Sequence, residues 1–481
     1  MKLGKIIEDV RVTAVIGNVD CQIDNIRIDS SSVTKGSLFV CLKGGDFDGH
    51  DFISQVENYG AKAVVCEREL NTSLTQIIVE NCRKALGKLC SAFYGHPSKS
   101  LRIIGVTGTN GKTTTSKLIY DVLNASGINC GLIGTMGTFY NGKFFEQNLT
   151  TPDPTDLHRI FSEMKSAGVK AVVMEVSAHS IFLDKINGIR FEGGVFTNLT
   201  QDHLDFFENM EAYGDAKLKF FRENELGFAV TNSDDAIGRK ISEMLPTAIS
   251  YGIENPADVF AINLQNTVDG ERFVINLFDC VYDVKLNLIG KFNVYNALAA
   301  ATACALFGVG TYDVVKSIEK ARPVEGRLEK VYCKDFSVIV DYAHTPDGLE
   351  QSLRVLKQLC EGKLICVFGC GGNRDVGKRS IMGRISGELA DFTIITSDNP
   401  RYEEPMDIIF EIEKGVVERT KKYIIIQERE DAIRYALSIA KRGDVILIAG
   451  KGGEKYQEVL GVKRLYNDKE TVTALLKELR S

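Results

Sequence analysis

No run of apolar residues in this sequence approaches the roughly 20 that a membrane-spanning helix requires. The opening residues, MKLGKIIEDVRVTAV, place an acidic pair ahead of any sustained apolar stretch, which is not the layout of a secretory signal. A cytoplasmic protein without membrane insertion is therefore expected. A basic excess is also missing: 58 lysines and arginines stand against 64 acids, for a formal charge of -6. The chain thus lacks the broad electrostatic footprint of a nucleic-acid binder and must grip any anion locally. The 12 cysteines include no double pair at zinc-finger spacing. Cys366 and Cys370 come nearest, where a strand pattern gives way to glycines, and reduced, half-buried thiols are expected. Internal repeats and low-complexity tails are absent too.

What is present is an ordinary globular mixture, 44% apolar and 25% charged, in 481 residues. That length suggests about three domains. Runs such as LRIIGVTG, KAVVMEVS, GGVFTNLT and LGFAVTN alternate with helical stretches from residue 102 to about 320, with no tight Asn-Gly hairpins between successive runs. This predicts a mostly parallel, helix-covered sheet. The alternation restarts after ARPVEGRLE, with FSVIVDY, KLICVFG, DFTIITSD, YIIIQER and DVILIAG as strands of a second doubly wound domain. Residues 1–97 carry shorter runs, GSLFVCLKG and AKAVVCE, and read as a smaller α/β module. With YGHPSKS and ARPVEGRLE as linkers, the expected domains are 1–97, 98–325 and 326–481. Between 250 and 290 a β-meander, turning at Asp269-Gly270, predicts an antiparallel flap on the central domain.

The segment GVTGTNGKTTTSKLIYDVL joins an apolar strand to a helix through a glycine-lysine-threonine turn. Such a turn directs backbone N–H groups and a helix N-terminus at one point, a ready anion site. Gly108, Thr109, Asn110, Gly111 and Thr114 would line it, Lys112 adds a positive charge, and Thr113 offers a hydroxyl to a magnesium ion bridging nucleotide phosphates. Val106 stands where the usual Walker pattern has its first glycine. Of the six histidines, His179, His203 and His344 lie in polar clusters at or just beyond strand ends, the edge where open α/β sheets bind ligands. Glu175 supplies an oxygen and His203 an imidazole beside Asp202, so a magnesium held by Glu175, His203 and phosphates is consistent, although imidazole is an unusual partner for so hard a cation.

Taken in order, GTNGKTTT, MEVSAHS, TNLTQDHLDFF, YGDAK, GKFNVYNALAA, GRLE, DYAHTPD, GCGGNRDVGKR, SDNPRYEEP and GKGGEKYQ resemble the Mur ligases over nearly the whole chain. The resemblance implies three domains: an N-terminal UDP-binding module, a central P-loop-type ATPase, and a Rossmann-like C-terminal domain for the incoming amino acid. It implies an ATP- and magnesium-dependent ligase that activates the D-glutamate γ-carboxylate of UDP-N-acetylmuramoyl-L-alanyl-D-glutamate as an acyl phosphate. An amine then attacks, and a monomer is expected. By the same similarity Lys112, Lys217 and His203 are catalytic, and Asn296, Arg327 and Asp341 join the phosphate loop in holding ATP. Thr113, Glu175, His203 and Lys217 attend the metal, Lys217 as a carbamate, which forms only from a neutral amine. Ser30, Thr150, Thr151, Ser177 and Lys185 are expected to hold the UDP-muramoyl dipeptide.

SDNPRYEEP speaks to the amino acid. Arginine can hold a carboxylate bidentately, and lysine as a substrate has no second carboxylate to hold. By resemblance Arg401 marks relatives that add meso-diaminopimelate, with Arg374, Asp398, Asn399, Gly450 and Glu454 around the same ligand. The competing possibility for the segment is a helix cap, with Asp398 or Asn399 capping and Pro400 starting the helix. Three positions depart from the family pattern: Ser31 and Lys185 replace arginines, and Gly453 replaces a histidine. A lysine-adding relative, a folylpolyglutamate synthetase and a non-catalytic nucleotide-binding scaffold are the alternatives.

Overall fold

The computed structural model describes all residues except 46, 148, 205, 268, 269 and 479–481. Among the described residues three large sheets form, one per domain, together with a small hairpin. The first runs in the order Val12–Ile16, Thr75–Val79, Ala63–Cys66, Ser37–Val40, Asn25–Arg27. Its strands are parallel except at the edge, where Val12–Ile16 pairs antiparallel with Thr75–Val79. SLFV and AVVC are buried at every position, as a sheet covered on both faces requires. Helix Cys82–Phe93, capped by Asn81, packs against helix Pro154–Ser166 and so seats this domain on the next.

The central sheet has eleven strands. Arg102–Thr107 lies in its middle, parallel to Ala171–Glu175 on one side and Gly193–Phe196 on the other. The winding reverses here: Cys130–Gly134, next in the chain, joins beyond Ala171–Glu175, whereas Phe228–Asn232 joins beyond Gly193–Phe196. The crevice at the carboxyl end of Arg102–Thr107 is therefore a topological switch point. Behind it, the alanine-rich helix Lys291–Phe307 lies almost wholly buried against helix Lys112–Ala125, small side chains letting the two approach closely.

Both edges of this sheet turn antiparallel. Val259–Thr267, Gly270–Leu277 and Cys280–Leu286 form the meander, although Asp269 of the expected turn lies outside the described residues. At the opposite edge a tight Asn-Gly hairpin does occur, contrary to expectation. Gly137–Tyr140 and Lys143–Phe145 are joined by Asn141 (φ 50°) and Gly142 (φ 71°). Two successive left-handed residues match the twist of a two-residue hairpin, and Asn-Gly is the pair that tolerates them best.

The third sheet runs Glu329–Cys333, Ser337–Asp341, Val445–Ala449, Leu364–Phe368, Phe392–Ile395, Tyr423–Ile425 and is parallel apart from its first strand. The helix-cap possibility for Asp398–Pro400 fails. The next helix is Pro405–Val417, with Pro405 in its first turn and Glu404 at its cap, so Asp398, Asn399 and Arg401 sit in the loop beyond strand Phe392–Ile395. All 12 cysteines are free, most of them buried, with Cys280 and Cys333 exposed. No helix among the described residues is long and apolar enough to cross a membrane.

A buried ion pair ties the C-terminal helix to this sheet. Arg429 meets Asp468 through Nε and Nη2, both at 2.8 Å, and also donates to the Ala449 carbonyl at 2.9 Å. Both side chains are essentially inaccessible. Replacing Arg429 by methionine strands the Asp468 carboxylate in the interior. Denaturant unfolding of the variant should show a loss of about 3–5 kcal/mol, and an Arg429→Met, Asp468→Leu double variant should recover much of it.

Candidate active site

The phosphate loop takes its shape from Gly108 (φ 150°) and Gly111 (φ 82°), backbone angles that a β-carbon would oppose. A Cβ at Gly108 would also lie 1.8 Å from Thr197 Oγ1. The segment after strand Gly193–Phe196 pins the loop. Thr109 N donates to Asn198 O (2.8 Å), Asn110 N to Asn198 Oδ1 (2.9 Å), and Thr197 Oγ1 to Asn110 O (2.6 Å). Lys112, half-buried at the start of helix Lys112–Ala125, donates to the carbonyls of Gly108 (2.9 Å) and Thr109 (2.8 Å). Burial depresses its pKa, against the opposing pull of Glu175 and Asp202. Thr114 is buried on the same first turn. Asn296 lies under the loop: Thr115 Oγ1 donates to its Oδ1 at 3.3 Å, and Asn293 Oδ1 accepts from its Nδ2 at 3.0 Å.

Thr113 and Glu175 form a hydroxyl–carboxylate pair. Thr113 Oγ1 donates to Glu175 Oε2 at 3.0 Å, and Thr135 contributes its N–H (2.9 Å) and hydroxyl (3.2 Å) to the same carboxylate. These are hard oxygen donors beside a phosphate loop, a set suited to magnesium that keeps its remaining ligands from phosphates and water. No three His, Cys, Asp or Glu side chains among the described residues converge as a self-sufficient metal cluster. His203 approaches from the neighbouring loop with a left-handed backbone (φ 56°), its Nε2 3.3 Å from Asp202 Oδ2 and its ring packed edge-on against His179. Burial lowers the His203 pKa. The Asp202 carboxylate is kept low by His344, His203 and Lys378 in spite of its own burial.

Lys217, on helix Met210–Glu223, is 1% exposed and holds its ammonium 4.4 Å from the centre of the Tyr213 ring. Burial first, and the Lys112 charge second, hold its pKa well below the ordinary lysine range. Lys219, two residues on, instead pairs with Asp184 at 2.6 Å. Tyr213 also meets Thr109 Oγ1 at 3.2 Å, a link between this helix and the loop with no local sequence signal.

Along the neighbouring wall Thr151 Oγ1 donates to Glu175 O (2.9 Å) and lies 3.3 Å from Ser177 Oγ, while Thr150 meets Thr135 at 3.0 Å. Ser177 caps helix Ala178–Phe182. Lys185 pairs with Asp153 at 2.7 Å. Thr150, Thr151, Ser177 and Lys185 thus gather around the end of strand Ala171–Glu175. Ser30 stands in the first domain, opening a short 3-10 turn capped by Asp29, where Ser31 also bonds the Asp29 carboxylate at 2.9 Å.

Two contacts cross from the third domain to the loop. Arg327 Nη2 lies 3.5 Å from Thr113 Oγ1, its guanidinium resting 4.3 Å from the Tyr342 ring centre, and Asn110 Nδ2 donates to Asp347 Oδ2 at 2.9 Å. Asp347 lies in the first turn of helix Pro346–Leu359 and was not singled out in the sequence. Asp341, expected at the nucleotide, has its carboxylate engaged elsewhere: Oδ1 accepts from the N–H groups of Leu328 (3.0 Å) and Tyr342 (2.9 Å), and Oδ2 from Ser352 (2.6 Å). It fixes the turn that carries Arg327. In that turn Gly326 (φ 68°) lies against Gly452 and Gly453, so a Cβ on it would sit 1.9 Å from Gly453 N.

The third domain presents its own pocket at the carboxyl ends of its strands. Arg401, left-handed at φ 52°, is locked by Arg401 N→Glu458 O (3.1 Å) and Leu460 N→Arg401 O (2.6 Å). Its Nη1 donates to Gly372 O (2.7 Å), with Glu458 3.5 Å from Nε. A non-glycine residue held there stores strain that the hairpin Tyr456–Leu465 must offset. Asn399 donates through Nδ2 to Glu454 Oε2 at 2.9 Å. Asp398 is buried beside Gly450, and Arg374 approaches Gly371 near Arg401. Lys451, fully buried between Asn399 and Glu454, was missed, because a lysine in a glycine turn reads as a solvated side chain. At Gly453 a Cβ would lie 3.1 Å from the Glu325 carbonyl, so a side chain there would press on the linker.

Comparison with known proteins covers the whole chain. Family models match as "Mur ligase family, catalytic domain" over residues 22–94, "Mur ligase middle domain" over 106–304 and "Mur ligase, glutamate ligase domain" over 326–452. A UDP-N-acetylmuramoyl-L-alanyl-D-glutamate--2,6-diaminopimelate ligase 1 of Clostridium acetobutylicum is 43% identical over 486 residues, 100% of both chains. The ligase of the same name, without the numeral, from Bacillus licheniformis is 42% identical over 492 residues, again 100% of both. A solved structure of a UDP-N-acetylmuramoyl-L-alanyl-D-glutamate--2,6-diaminopimelate ligase matches with a TM-score of 0.71 at 30% identity, covering 100% of this chain and 99% of that one.

Proposed function

The chain belongs to the Mur ligase family, and from that footing we infer an ATP-dependent ligase that adds meso-2,6-diaminopimelate to the D-glutamate of UDP-N-acetylmuramoyl-L-alanyl-D-glutamate during peptidoglycan precursor synthesis. Its place of work is the cytoplasm, and its domains divide at 97/98 and 325/326. The geometry that most supports the reading is the pair of direct bonds, Asn110 to Asp347 and Arg327 to Thr113, that joins the phosphate loop to the domain carrying the Arg401 pocket.

A carboxylate is a poor electrophile, so the γ-carboxylate must first be activated. One of its oxygens attacks the γ-phosphorus of ATP, the bond to ADP breaks, and a mixed anhydride forms. The amine lone pair then closes on the acyl carbon, inorganic phosphate leaves, and the surplus ammonium proton passes to a base. Little covalent chemistry falls to the protein, which mainly positions groups and neutralises charge.

Lys112 and the N–H groups from Gly108 to Thr114 take the phosphates, with Asn296 bracing the loop from below and Arg327 reaching it from the third domain. Asp341 contributes by holding the Arg327 turn. Thr113, Glu175, His203 and a carbamylated Lys217 would hold magnesium, which when bound neutralises phosphate charge and acts as a Lewis acid. Ser30, Thr150, Thr151, Ser177 and Lys185 receive the UDP-muramoyl dipeptide. Arg374, Asp398, Asn399, Arg401, Gly450 and Glu454 receive diaminopimelate, the arginines meeting its far carboxylate and Glu454 its far ammonium.

The test is a direct competition. With ATP, magnesium and the muramoyl dipeptide, the diaminopimelate adduct should exceed the L-lysine adduct by more than about tenfold in product mass spectra, the discrimination expected when a buried polar site is left unpaired by the wrong substrate. Equal turnover would overturn the specificity. Arg401→Asn, chosen because asparagine tolerates the left-handed backbone, should lower kcat/KM for diaminopimelate by about 100-fold through loss of a charged, forked hydrogen bond. In a lysine-adding enzyme the same substitution would leave the preferred amino acid unchanged.

A further inference from the structure

We propose that Lys451 positions the amino-acid pocket and sets its preference for a substrate whose far end carries both charges, an inference that rests on the function proposed above. Lys451 follows strand Val445–Ala449 and is wholly inaccessible. Its ammonium donates to Asn399 Oδ1 at 2.8 Å and to Glu454 Oε2 at 3.0 Å, while Asn399 Nδ2 donates to that same Glu454 oxygen at 2.9 Å. The N–H of Glu458 donates to Asn399 Oδ1 at 3.0 Å. The three side chains close a triangle with one cation at its base.

Two consequences follow from elementary chemistry. An ammonium can only donate, so Lys451 forces the carbonyl oxygen of the Asn399 amide toward itself and the NH2 group toward Glu454. The amide and the carboxylate that face the substrate are thereby held in one orientation by a group that need not touch it. Removing a charge from water is costly unless it is paired, and here both partners belong to the pocket wall rather than to the remote fold.

The second consequence is electrostatic. Arg401 and Lys451 stand with Glu454 and Glu458 in one contact chain, Arg401 set against Glu458 and Lys451 against Glu454. A substrate end bearing one carboxylate and one ammonium leaves this balance undisturbed. One bearing a bare ammonium meets a Glu454 carboxylate already half neutralised by Lys451 and brings nothing for Arg401. Lys451 thus disfavours L-lysine relative to diaminopimelate.

The experiment measures steady-state kinetics of the full chain for the wild type, Lys451→Met and Lys451→Gln, varying diaminopimelate, L-lysine, ATP and the muramoyl dipeptide separately. Lys451→Met should raise KM for diaminopimelate about thirtyfold, the scale of truncating one partner of a buried charged hydrogen bond. The KM values for ATP and the muramoyl dipeptide should stay within about twofold, and the diaminopimelate-over-lysine preference should fall about tenfold, because uniform loss would instead mark general damage. Lys451→Gln, which still donates but is uncharged, should recover part of the KM while leaving the preference weakened. An unchanged KM for diaminopimelate in folded variants, a parallel rise in all three KM values, or failure of both variants to fold would each overturn the proposal. A wild type that adds no diaminopimelate would instead overturn the functional reading beneath it.

Discussion

Lys112→Met should lose ATP-coupled amide synthesis by about a thousandfold or more, the upper range for removing one preorganised charge-stabilising group. Methionine preserves the unbranched apolar stem while deleting the ammonium, so packing at the base of helix Lys112–Ala125 is little disturbed. What disappears is the charge poised over the loop, 2.9 Å from the Gly108 carbonyl and 2.8 Å from that of Thr109. Arg327, the other cation at the loop, is engaged with Thr113 and belongs to another domain. Coupled measurement of ADP release and amide product, with a thermal melt to show the fold intact, checks the expectation. Synthesis that survives the substitution would sink the assigned role of the loop.

Lys217→Met is expected to cost nearly as much, about 100- to 1,000-fold in kcat, since it removes a charged group expected beside the transferring phosphoryl. Lys217 occupies an inaccessible position over the Tyr213 ring and within electrostatic reach of Lys112, so two ammonium groups there would repel. The proposed carbamylation would resolve the conflict: the neutral amine would form a bond to the carbon of CO2, a proton would depart, and the product would be an anion on the same arm. Wild-type activity should therefore drop in CO2-free buffer and return with bicarbonate, whereas Lys217→Met should be indifferent to either. Labelling with carbon-13 bicarbonate and observing a carbamate carbon in the wild type alone gives the direct readout. A fully active Lys217→Met enzyme would refute the assignment.

Sequence patterns revealed those parts of the site that are local along the chain. The strand, glycine turn and helix that make the phosphate loop are contiguous from Arg102 to Ala125, so their physics is written in one segment. Lys217 was singled out by the family resemblance alone, and what sets it apart from Lys219 in the fold is burial, since Lys219 pairs with Asp184 instead. Groups whose partners lie far off in the chain were less visible. The family resemblance placed Asp341 at the nucleotide, whereas in the fold its oxygens accept from Leu328, Tyr342 and Ser352, an arrangement that only the folded linker determines. Asp347 and Asn110 are 237 residues apart, and no spacing rule connects them. The Asn141-Gly142 hairpin was legible in principle but was masked by the dominant alternation of parallel strands around it.

The bonds that Asn110 and Thr113 make to the third domain have a bearing on thrift. Because the loop that would grip the nucleotide is itself completed by groups from the lobe that carries the amino acid, an unfolded-out, splayed molecule leaves Asn110 and Thr113 without Asp347 and Arg327. On the proposed function, turnover of nucleotide in the splayed molecule would be discouraged by architecture alone, and Asp347→Ala, which removes the Asn110 contact permanently, should lower phosphate release even with every substrate present.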